Sequence, residues 1–418
     1  QLVVTRPIRL PPRAASHSPR PNPPDILPGT LRIVDNDALI SFTRDLVRLP
    51  SVLGDEHRVA ERVLAEMRLL GFDEVDLDEV GNAVGVLAGA ADGPTLLFDA
   101  HMDTVDVMPR GDWNHDPFGA EVVDGRLYGR GSSDMKGALA AMIHAVGLLD
   151  RERLAGRIVV SASVGEELIE GAALRAVMQR QGADFVVIGE ASSLNLVRAG
   201  RGRAEFVITT RGTPAHASTP HRGVNAVHVM RAVIDEIECL PMPSDAFVGD
   251  GVMCLTDIIS VPHPAHSVVP SACRATYERR LLPGETQEEV MAAMHDACAR
   301  AGHADTKIEF ALTDYTSYTG VHWRQAKWFS PWQINEDAEL VQKALAGLRS
   351  AGLDPSLCSY QFCTNGAYSA GYAGIPTIGF GPSHEELAHI VDEYIELEQL
   401  IGACRGYAGI AGSVLGRA

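Results

Sequence analysis

Apolar residues alternate along the chain between helical spacing and short continuous runs. From about residue 37 to residue 70 they recur at helical spacing, and Gly71 follows in the manner of a helix C-terminus. Short apolar runs and helical patterns then alternate at 95–100, 135–149, 157–164, 172–181 and 184–188. This alternation is typical of an α/β fold with helices flanking a largely parallel sheet.

The pattern changes near residue 200. Residues 201–211 alternate polar and apolar positions, which indicates a strand with one face in water. A helical run at 225–238, strand-like runs at 252–260 and 272–280, and a helical run at 286–301 follow. They predict an inserted α+β domain at 201–312, with two helices on a small antiparallel sheet.

The earlier pattern returns after about residue 336, with a strand at 375–380 and a closing helix at 393–414. The catalytic domain is therefore expected to be discontinuous, with a first part at 31–200 and a second part at 313–418. Residues 1–30 are rich in Pro and Arg and lack the apolar centre of a secretory signal. They are interpreted as a disordered tail or a residual expression sequence.

Composition and charge narrow the possible partners. A chain of 418 residues is long enough for two domains. Its net charge of −18 repels phosphate backbones and anionic lipid, so nucleic acid is not an expected partner. No run approaches the roughly 18 to 20 apolar residues of a membrane span, so no membrane association is expected.

The cysteines bear on the cellular compartment. There are seven, an odd number, spread over the second half of the chain without a Cys-x-x-Cys pair. This distribution favours free thiols in a reducing compartment over a disulfide framework. The predicted location is the cytoplasm.

Acidic residues and histidines follow several of the predicted strands. His101 and Asp103 follow the strand at 95–100, Glu166 and Glu167 follow the strand at 157–164, and Glu190 follows the strand at 184–188. Each has an ordinary structural explanation when taken alone, such as a packed core histidine or a solvated turn. Together they lie where catalytic groups belong, at the carboxyl ends of the strands in an α/β sheet.

Two further candidates complete a mixed set of imidazole and carboxylate groups. Asp134 lies in the glycine-rich loop at 129–137, which opens a helix, so it could instead be a helix cap. His389 follows the last predicted strand, and His384 is a plausible competitor five residues earlier. Imidazole and carboxylate ligands suit zinc, manganese or cobalt.

The motifs that carry these residues resemble the family of acetylornithine deacetylase, succinyl-diaminopimelate desuccinylase and carboxypeptidase G, from about residue 40 to the C-terminus. The matching segments are Asp99-Ala100-His101-Met102-Asp103, the loop at 129–137, Gly165-Glu166-Glu167, Gly189-Glu190, Gly212-Thr213-Pro214-Ala215-His216, Gly223-Val224-Asn225-Ala226, Arg280-Leu281-Leu282-Pro283-Gly284-Glu285, Gly374-Ile375-Pro376 and Ala388-His389. Within this family, the chain most resembles the branch described as selenium-metabolism hydrolases. The segments that carry this likeness are Tyr318-Thr319-Gly320, Phe329-Ser330-Pro331-Trp332 and Cys363-Thr364-Asn365-Gly366.

The resemblance implies a role for each matching residue. Two divalent metal ions, most readily zinc, would share Asp134. One would also take Glu167 and His389, and the other His101 and Glu190. Glu166 would be the general base, and Asp103 would support His101. The inserted domain would be a lid and a dimerisation domain, and its His216 would reach the active site of the other subunit in a homodimer.

The substrate is less defined than the metal ligands. Arg280 is the candidate for gripping a substrate carboxylate, with a surface salt bridge as the alternative. Asn225, Thr364 and Asn365 are the other substrate-binding candidates. The predicted activity is hydrolysis of an amide bond in a small N-acylated amino acid. Alternatives are a dipeptidase or carboxypeptidase, an aminohydrolase, or a non-catalytic binding relative.

Overall fold

The computed structural model describes residues 34–417, and the tail predicted at 1–30 lies outside them. The α-helices are α1 (Asn36–Val47), α2 (His57–Leu69), α3 (Gly137–Gly147), α4 (Ala172–Gln181), α5 (Ala226–Glu238), α6 (Gln287–Arg300), α7 (Glu339–Ser350) and α8 (Leu397–Leu415). Within the described range, no helix is both long and apolar enough to cross a lipid bilayer.

The strands form one large sheet and several smaller ones. In chain order they are β1 (Glu74–Leu77), β2 (Ala83–Ala88), β3 (Ala91–His101), β4 (Glu121–Val123), β5 (Arg126–Tyr128), β6 (Ala155–Ser163), β7 (Phe185–Ile188), β8 (Leu196–Gly200), β9 (Gly202–Arg211), β10 (Ser244–Asp245), β11 (Gly249–Asp250), β12 (Val252–Val261), β13 (Ala272–Leu281), β14 (Lys307–Phe310), β15 (Leu312–Thr316), β16 (His322–Ala326), β17 (Trp328–Phe329), β18 (Trp332–Gln333), β19 (Leu357–Tyr360), β20 (Thr377–Gly379) and β21 (Tyr394–Glu396).

The large sheet has the order β1-β2-β6-β3-β7-β20-β8-β18, with β19 beside β8. Its four central strands, β6, β3, β7 and β20, are parallel, and antiparallel pairs lie towards both edges. The predicted α/β class is confirmed. Because the central strands are parallel, their carboxyl ends meet at one edge of the sheet, where the candidate residues follow them.

Helices cover both faces of the large sheet. Successive strand residues point to opposite faces, so Ile158 and Val160 of β6 pack into the core shared with α1, α2, α3, α7 and α8, whereas Val159 packs towards α4. Helix α3 is buried from Gly137 to Val146, because it is apolar on nearly all sides. The loop before α3, which carries Asp134, is therefore attached to a helix enclosed in the core.

The helical run expected at 37–70 is interrupted in the structure, so the prediction is wrong for its central residues. The structure has two helices there, and the segment 48–56 between them is not helical. Pro50 disfavours helical conformation in the residue before it, and Gly54 has a positive φ of 84°. The break returns the chain over the core, so that α1 and α2 pack against each other with their apolar faces on the same cluster.

A second, antiparallel sheet has the order β12-β13-β9-β14, with β17 also paired to β9. Helices α5 and α6 pack on it around a separate core that includes Phe206, Tyr277, Met230 and Met294. The predicted α+β insertion is confirmed as a fold. Its limits at 201 and 312 stay a prediction, and β17 lies beyond residue 312.

Candidate metal centre

Two groups of three side chains meet at the carboxyl edge of the parallel strands. His101 Nε2 lies 3.0 Å from Asp134 Oδ1 and 3.6 Å from Glu190 Oε1. His389 Nε2 lies 3.1 Å from Asp134 Oδ2 and 3.0 Å from Glu167 Oε2. In each group the ligand atoms lie within 4.8 Å of one another. Asp134 therefore presents one carboxylate oxygen to each group.

A buried glutamate that the sequence interpretation missed holds Asp134 in this position. Glu393 Oε1 accepts from the backbone N–H groups of Ser133 (2.9 Å) and Asp134 (3.0 Å). Its Oε2 accepts from Gly131 N (3.0 Å) and from the Arg130 guanidinium (2.6 Å). The only signal in the sequence was an acid four residues after His389. Glu393 thus fixes the loop before α3 to the segment that carries His389.

His101 is oriented by the backbone of Asp103. The ring donates from Nδ1 to the Asp103 carbonyl oxygen at 2.9 Å, whereas the nearer Asp103 carboxylate oxygen lies 3.7 Å away. Since a carbonyl only accepts, Nδ1 carries a proton, and Nε2 is the nitrogen that faces Asp134 and Glu190 and could bind a metal. The support expected from the Asp103 side chain is thus given mainly by its carbonyl.

The Asp103 carboxylate instead fixes the segment that carries the glutamate pair. It accepts from Glu166 N at 3.1 Å and from Glu167 N at 3.0 Å. The preceding Gly165 has a φ of +67°, and a Cβ there would meet the Tyr315 ring at 2.6 Å. Tyr315 belongs to the hairpin of β15 and β16, which was not predicted. Both glutamates are thereby aimed in defined directions.

Glu166 is buried beside the two groups and is a member of neither. Its Oε1 has no hydrogen-bond partner among residues 34–417. Burial raises the pKa of its carboxyl well above the usual range; His101 opposes this shift, and the charges of Glu190, Glu170 and Glu167 add to it. A carboxylate with a raised pKa and a free oxygen is suited to accept a proton from a bound water.

The charge balance of the cluster fits bound cations. Burial raises the pKa of Glu190 well above its usual range, and the negative charge of Asp134 adds to the shift. Several carboxylates buried together are unfavourable unless positive charge compensates them. Imidazole and carboxylate donors around a shared aspartate are the ligand chemistry of a site for two divalent metals.

A cavity of about 350 Å³ opens over the cluster. Its lining includes Glu166, Arg280 and Arg203. Arg280 pairs with Glu278 at 2.7 Å but remains about one-third exposed, so it can also contact a ligand. Arg203, which the sequence did not single out, donates to Glu170 Oε2 at 2.7 Å. The cavity therefore combines acids at one end with guanidinium groups in its wall.

Two predicted substrate contacts, Thr364 and Asn365, use their polar groups inside the protein. Asn365 is buried; its amide donates to Asp99 Oδ2 (2.7 Å) and Ser163 Oγ (3.1 Å), and its Oδ1 accepts from Gly171 N (2.5 Å). Thr364 is also buried and accepts from Gly366 N at 3.1 Å. Neither residue lines the cavity over the cluster.

Three further candidates lie away from the cluster in this chain. Asn225 caps α5, because its Oδ1 accepts from Val227 N at 2.9 Å. His384 contacts Ser193 Oγ (2.7 Å) and Gln399 Nε2 (3.0 Å), so His389 rather than His384 faces Asp134. His216 is exposed in the inserted domain, its Nδ1 lies 2.7 Å from Ser218 Oγ, and it does not line the cavity.

The fold and this site define a metal-dependent hydrolase of amide bonds. Residues 97–413 match Peptidase family M20/M25/M40. The chain belongs to this family.

Relatives and solved structures agree with this assignment. The chain is 33% identical to the protein YgeY of Escherichia coli (strain K12), over 88% of this chain and 92% of that protein. It is 28% identical to succinyl-diaminopimelate desuccinylase of Cereibacter sphaeroides, over 86% of this chain and 94% of that enzyme. The fold is similar to that of Bacillus subtilis YxeP, described as a dinuclear metal binding peptidase of the M20 family, with a TM-score of 0.68, 16% identity, and coverage of 91% and 98% of the two chains.

Proposed function

We propose that this hydrolase removes the acyl group from a small N-acylated amino acid, using two divalent metal ions that share Asp134. The observation that carries the proposal is the position of Asp134, with one oxygen towards His101 and the other towards His389. The likeness to a desuccinylase supports a deacylase activity. The likeness in fold to a dinuclear metal binding peptidase is consistent with the metal pair.

The proposed ligands divide into two sets. His101, Glu190 and Asp134 would hold one metal, and His389, Glu167 and Asp134 the other. When bound, such a metal pair lowers the pKa of a shared water and polarises the scissile carbonyl. Zinc fits this mixed ligand set, as do manganese and cobalt.

Glu166 is proposed to move the proton. Its carboxylate accepts a proton from the attacking water and later delivers that proton to the leaving nitrogen. Burial favours the neutral form of Glu166 after the first transfer, and its partner-free Oε1 leaves room for the transferred proton. The acyl product leaves as a carboxylate and the amino acid as a free amine.

Arg280 is proposed to select a substrate with a carboxylate. Its planar guanidinium matches a carboxylate in a bidentate arrangement. It lines the same cavity as Glu166, so a substrate carboxylate held there leaves the amide near the acids. The pair with Glu278 holds the guanidinium in place, and the remaining exposure lets it bind a ligand.

A substrate screen on zinc-loaded protein tests the activity. We expect hydrolysis of N-acetyl or N-succinyl amino acids, loss of activity with a chelator and recovery with added metal. Arg280→Met is expected to raise KM by about tenfold or more, since it removes a charge-assisted pair. Cleavage of dipeptides in place of N-acyl amino acids would favour the peptidase alternative, and an unchanged KM in Arg280→Met would contradict its assigned role.

The proposal includes a homodimer formed through the inserted domain. Strand β12 is an edge strand of the antiparallel sheet, so one side of its backbone has no partner strand within the described chain. Its exposed apolar side chains are Val252, Ile258, Ile259 and Val261. Exposed apolar edge strands pair readily with other chains. In the proposed homodimer, the inserted domain of a second copy of this chain would cover β12. Each inserted domain would then lie near the other subunit.

His216 is then expected to act across the dimer interface. If it donates a hydrogen bond to the developing oxyanion, His216→Ala should lower kcat by about 100-fold or more without changing metal content. Mixing Glu166→Gln subunits with His216→Ala subunits should partly restore activity, because a mixed dimer has one site with both natural residues. Subunit exchange is followed separately by native mass spectrometry. Exchange without recovered activity would contradict a role across the interface.

A further inference from the structure

A second cavity, of about 370 Å³, lies beside the cavity over the metal cluster, which is called the catalytic cavity below. Arg175 of α4 and the helical segment Ala367–Tyr372 line it from the catalytic domain. Gln287 of α6 and Trp328 of β17 line it from the side of the antiparallel sheet. It is therefore an interdomain cleft, a place where small-molecule sites occur preferentially.

An ion pair separates the two cavities. Glu170 lines both of them and accepts from Arg203 at 2.7 Å. The Arg203 guanidinium also lies 5.1 Å from the ring centroid of Phe329, which lines the second cavity. The residues that line the second cavity include no member of the two candidate metal groups. A ligand there would be walled off from the reacting groups.

Arg175 gives the second cavity an available positive charge. Its side chain is half-buried, and within residues 34–417 no carboxylate lies within 4.0 Å of its guanidinium nitrogens. Glu170, the acidic residue in the lining of this cavity, is already paired with Arg203. A partly desolvated guanidinium without a partner favours a carboxylate, which it can bind through two hydrogen bonds.

Aromatic side chains give the cavity a flat apolar surface. The rings of Tyr368 and Tyr372 stack with centroids 5.6 Å apart and an interplanar angle of 19°. Tyr372 is 79% exposed, although large apolar side chains favour burial. Trp328 lies in the same lining. A planar ring can stack on these side chains while a carboxylate on the same molecule reaches Arg175.

We propose that the second cavity binds a small aromatic carboxylate, with its carboxylate on Arg175 and its ring against Tyr372 and Trp328. This site is separate from the metal centre and does not depend on the proposed amide hydrolysis. Because its walls belong to both domains, a ligand bound there favours the domain arrangement that it contacts best.

Benzoate is the probe, titrated into the metal-loaded full-length protein by calorimetry. We expect saturable binding that weakens about tenfold or more in Arg175→Met, since a charge-assisted hydrogen bond is lost. Arg280→Met, which removes the guanidinium of the catalytic cavity, is the matched control and should leave the affinity unchanged. Tyr372→Ala should weaken binding to a smaller degree, and as an exposed residue it should not disturb folding.

Three results would overturn the proposal. Absence of saturable binding would do so, as would equal affinity in Arg175→Met and the unmodified protein. Loss of binding in Arg280→Met with retention in Arg175→Met would place benzoate in the catalytic cavity. Thermal melts monitored by circular dichroism verify that each variant is folded. The titration measures binding and not turnover. It therefore tests the second cavity even if the proposed hydrolysis is wrong.

Discussion

Glu166→Gln is expected to lower kcat by about 10²–10⁴-fold, the usual contribution of a positioned general acid and base. The fold and the metal content should be retained, because the amide has nearly the same shape and Glu166 belongs to neither candidate metal group. Its free Oε1 means that few internal hydrogen bonds are lost. The measurement is steady-state kinetics together with metal analysis of the same preparation.

Glu167→Gln is the matched control for this prediction. The two residues are adjacent, and both backbone N–H groups bond to Asp103. Only Glu167 contacts His389, with Oε2 at 3.0 Å from Nε2. We therefore expect Glu167→Gln to weaken metal binding as well as turnover. Near-normal kcat in a metal-loaded Glu166→Gln variant would remove Glu166 from the role of base.

Asp134→Asn is expected to weaken binding of both metals. An amide offers one neutral oxygen in place of the two charged oxygens that face His101 and His389. Changing only a supporting partner of a ligand typically costs roughly 10- to 100-fold in metal affinity. Loss of a shared ligand should cost more than that for each metal. Competition with a chromophoric chelator measures the two affinities.

His389→Ala tests whether Asp134 is shared by two metals, because His389 is a candidate ligand of one metal only. His389 contacts Asp134 and Glu167 and lies in one candidate group only. We expect this variant to lose one metal with high affinity and keep the other. If Asp134→Asn and His389→Ala lose the same single metal, Asp134 is not shared, and the proposed two-metal arrangement is wrong.

The sequence predicted the parts of the fold in which one pattern dominates. Residues 172–181 were predicted as a helix, and the helix has the same limits, because Gly171 and Gly182 bound it. The alternation of Ala204, Phe206 and Ile208 gave a strand with those three residues buried. The break between α1 and α2 was missed, since apolar spacing continues through a segment that Pro50 and Gly54 make irregular.

The candidate site was predictable where a residue lies at the carboxyl end of a buried parallel strand. His101 ends β3 and Glu190 lies two residues after β7, and the structure places the two side chains 3.6 Å apart. Glu393 could not be found in this way, because it acts by accepting backbone hydrogen bonds from a loop distant in sequence. The internal hydrogen bonds of Asn365 were missed for a similar reason: its partners Asp99 and Ser163 are near it only in the folded chain.

The Glu393 contacts also bear on when the metal centre can form during synthesis. A nascent chain ending at residue 388 would contain His101, Asp134, Glu167 and Glu190, yet lack both His389 and the carboxylate that accepts from Ser133 and Asp134. In such a chain the backbone N–H groups of Ser133 and Asp134 would lack their common acceptor, and the Asp134 carboxylate would face one histidine instead of two. Metal loading is therefore expected to follow translation of the C-terminal segment. A ribosome-bound fragment that lacks this segment is not expected to bind metal at the incomplete site.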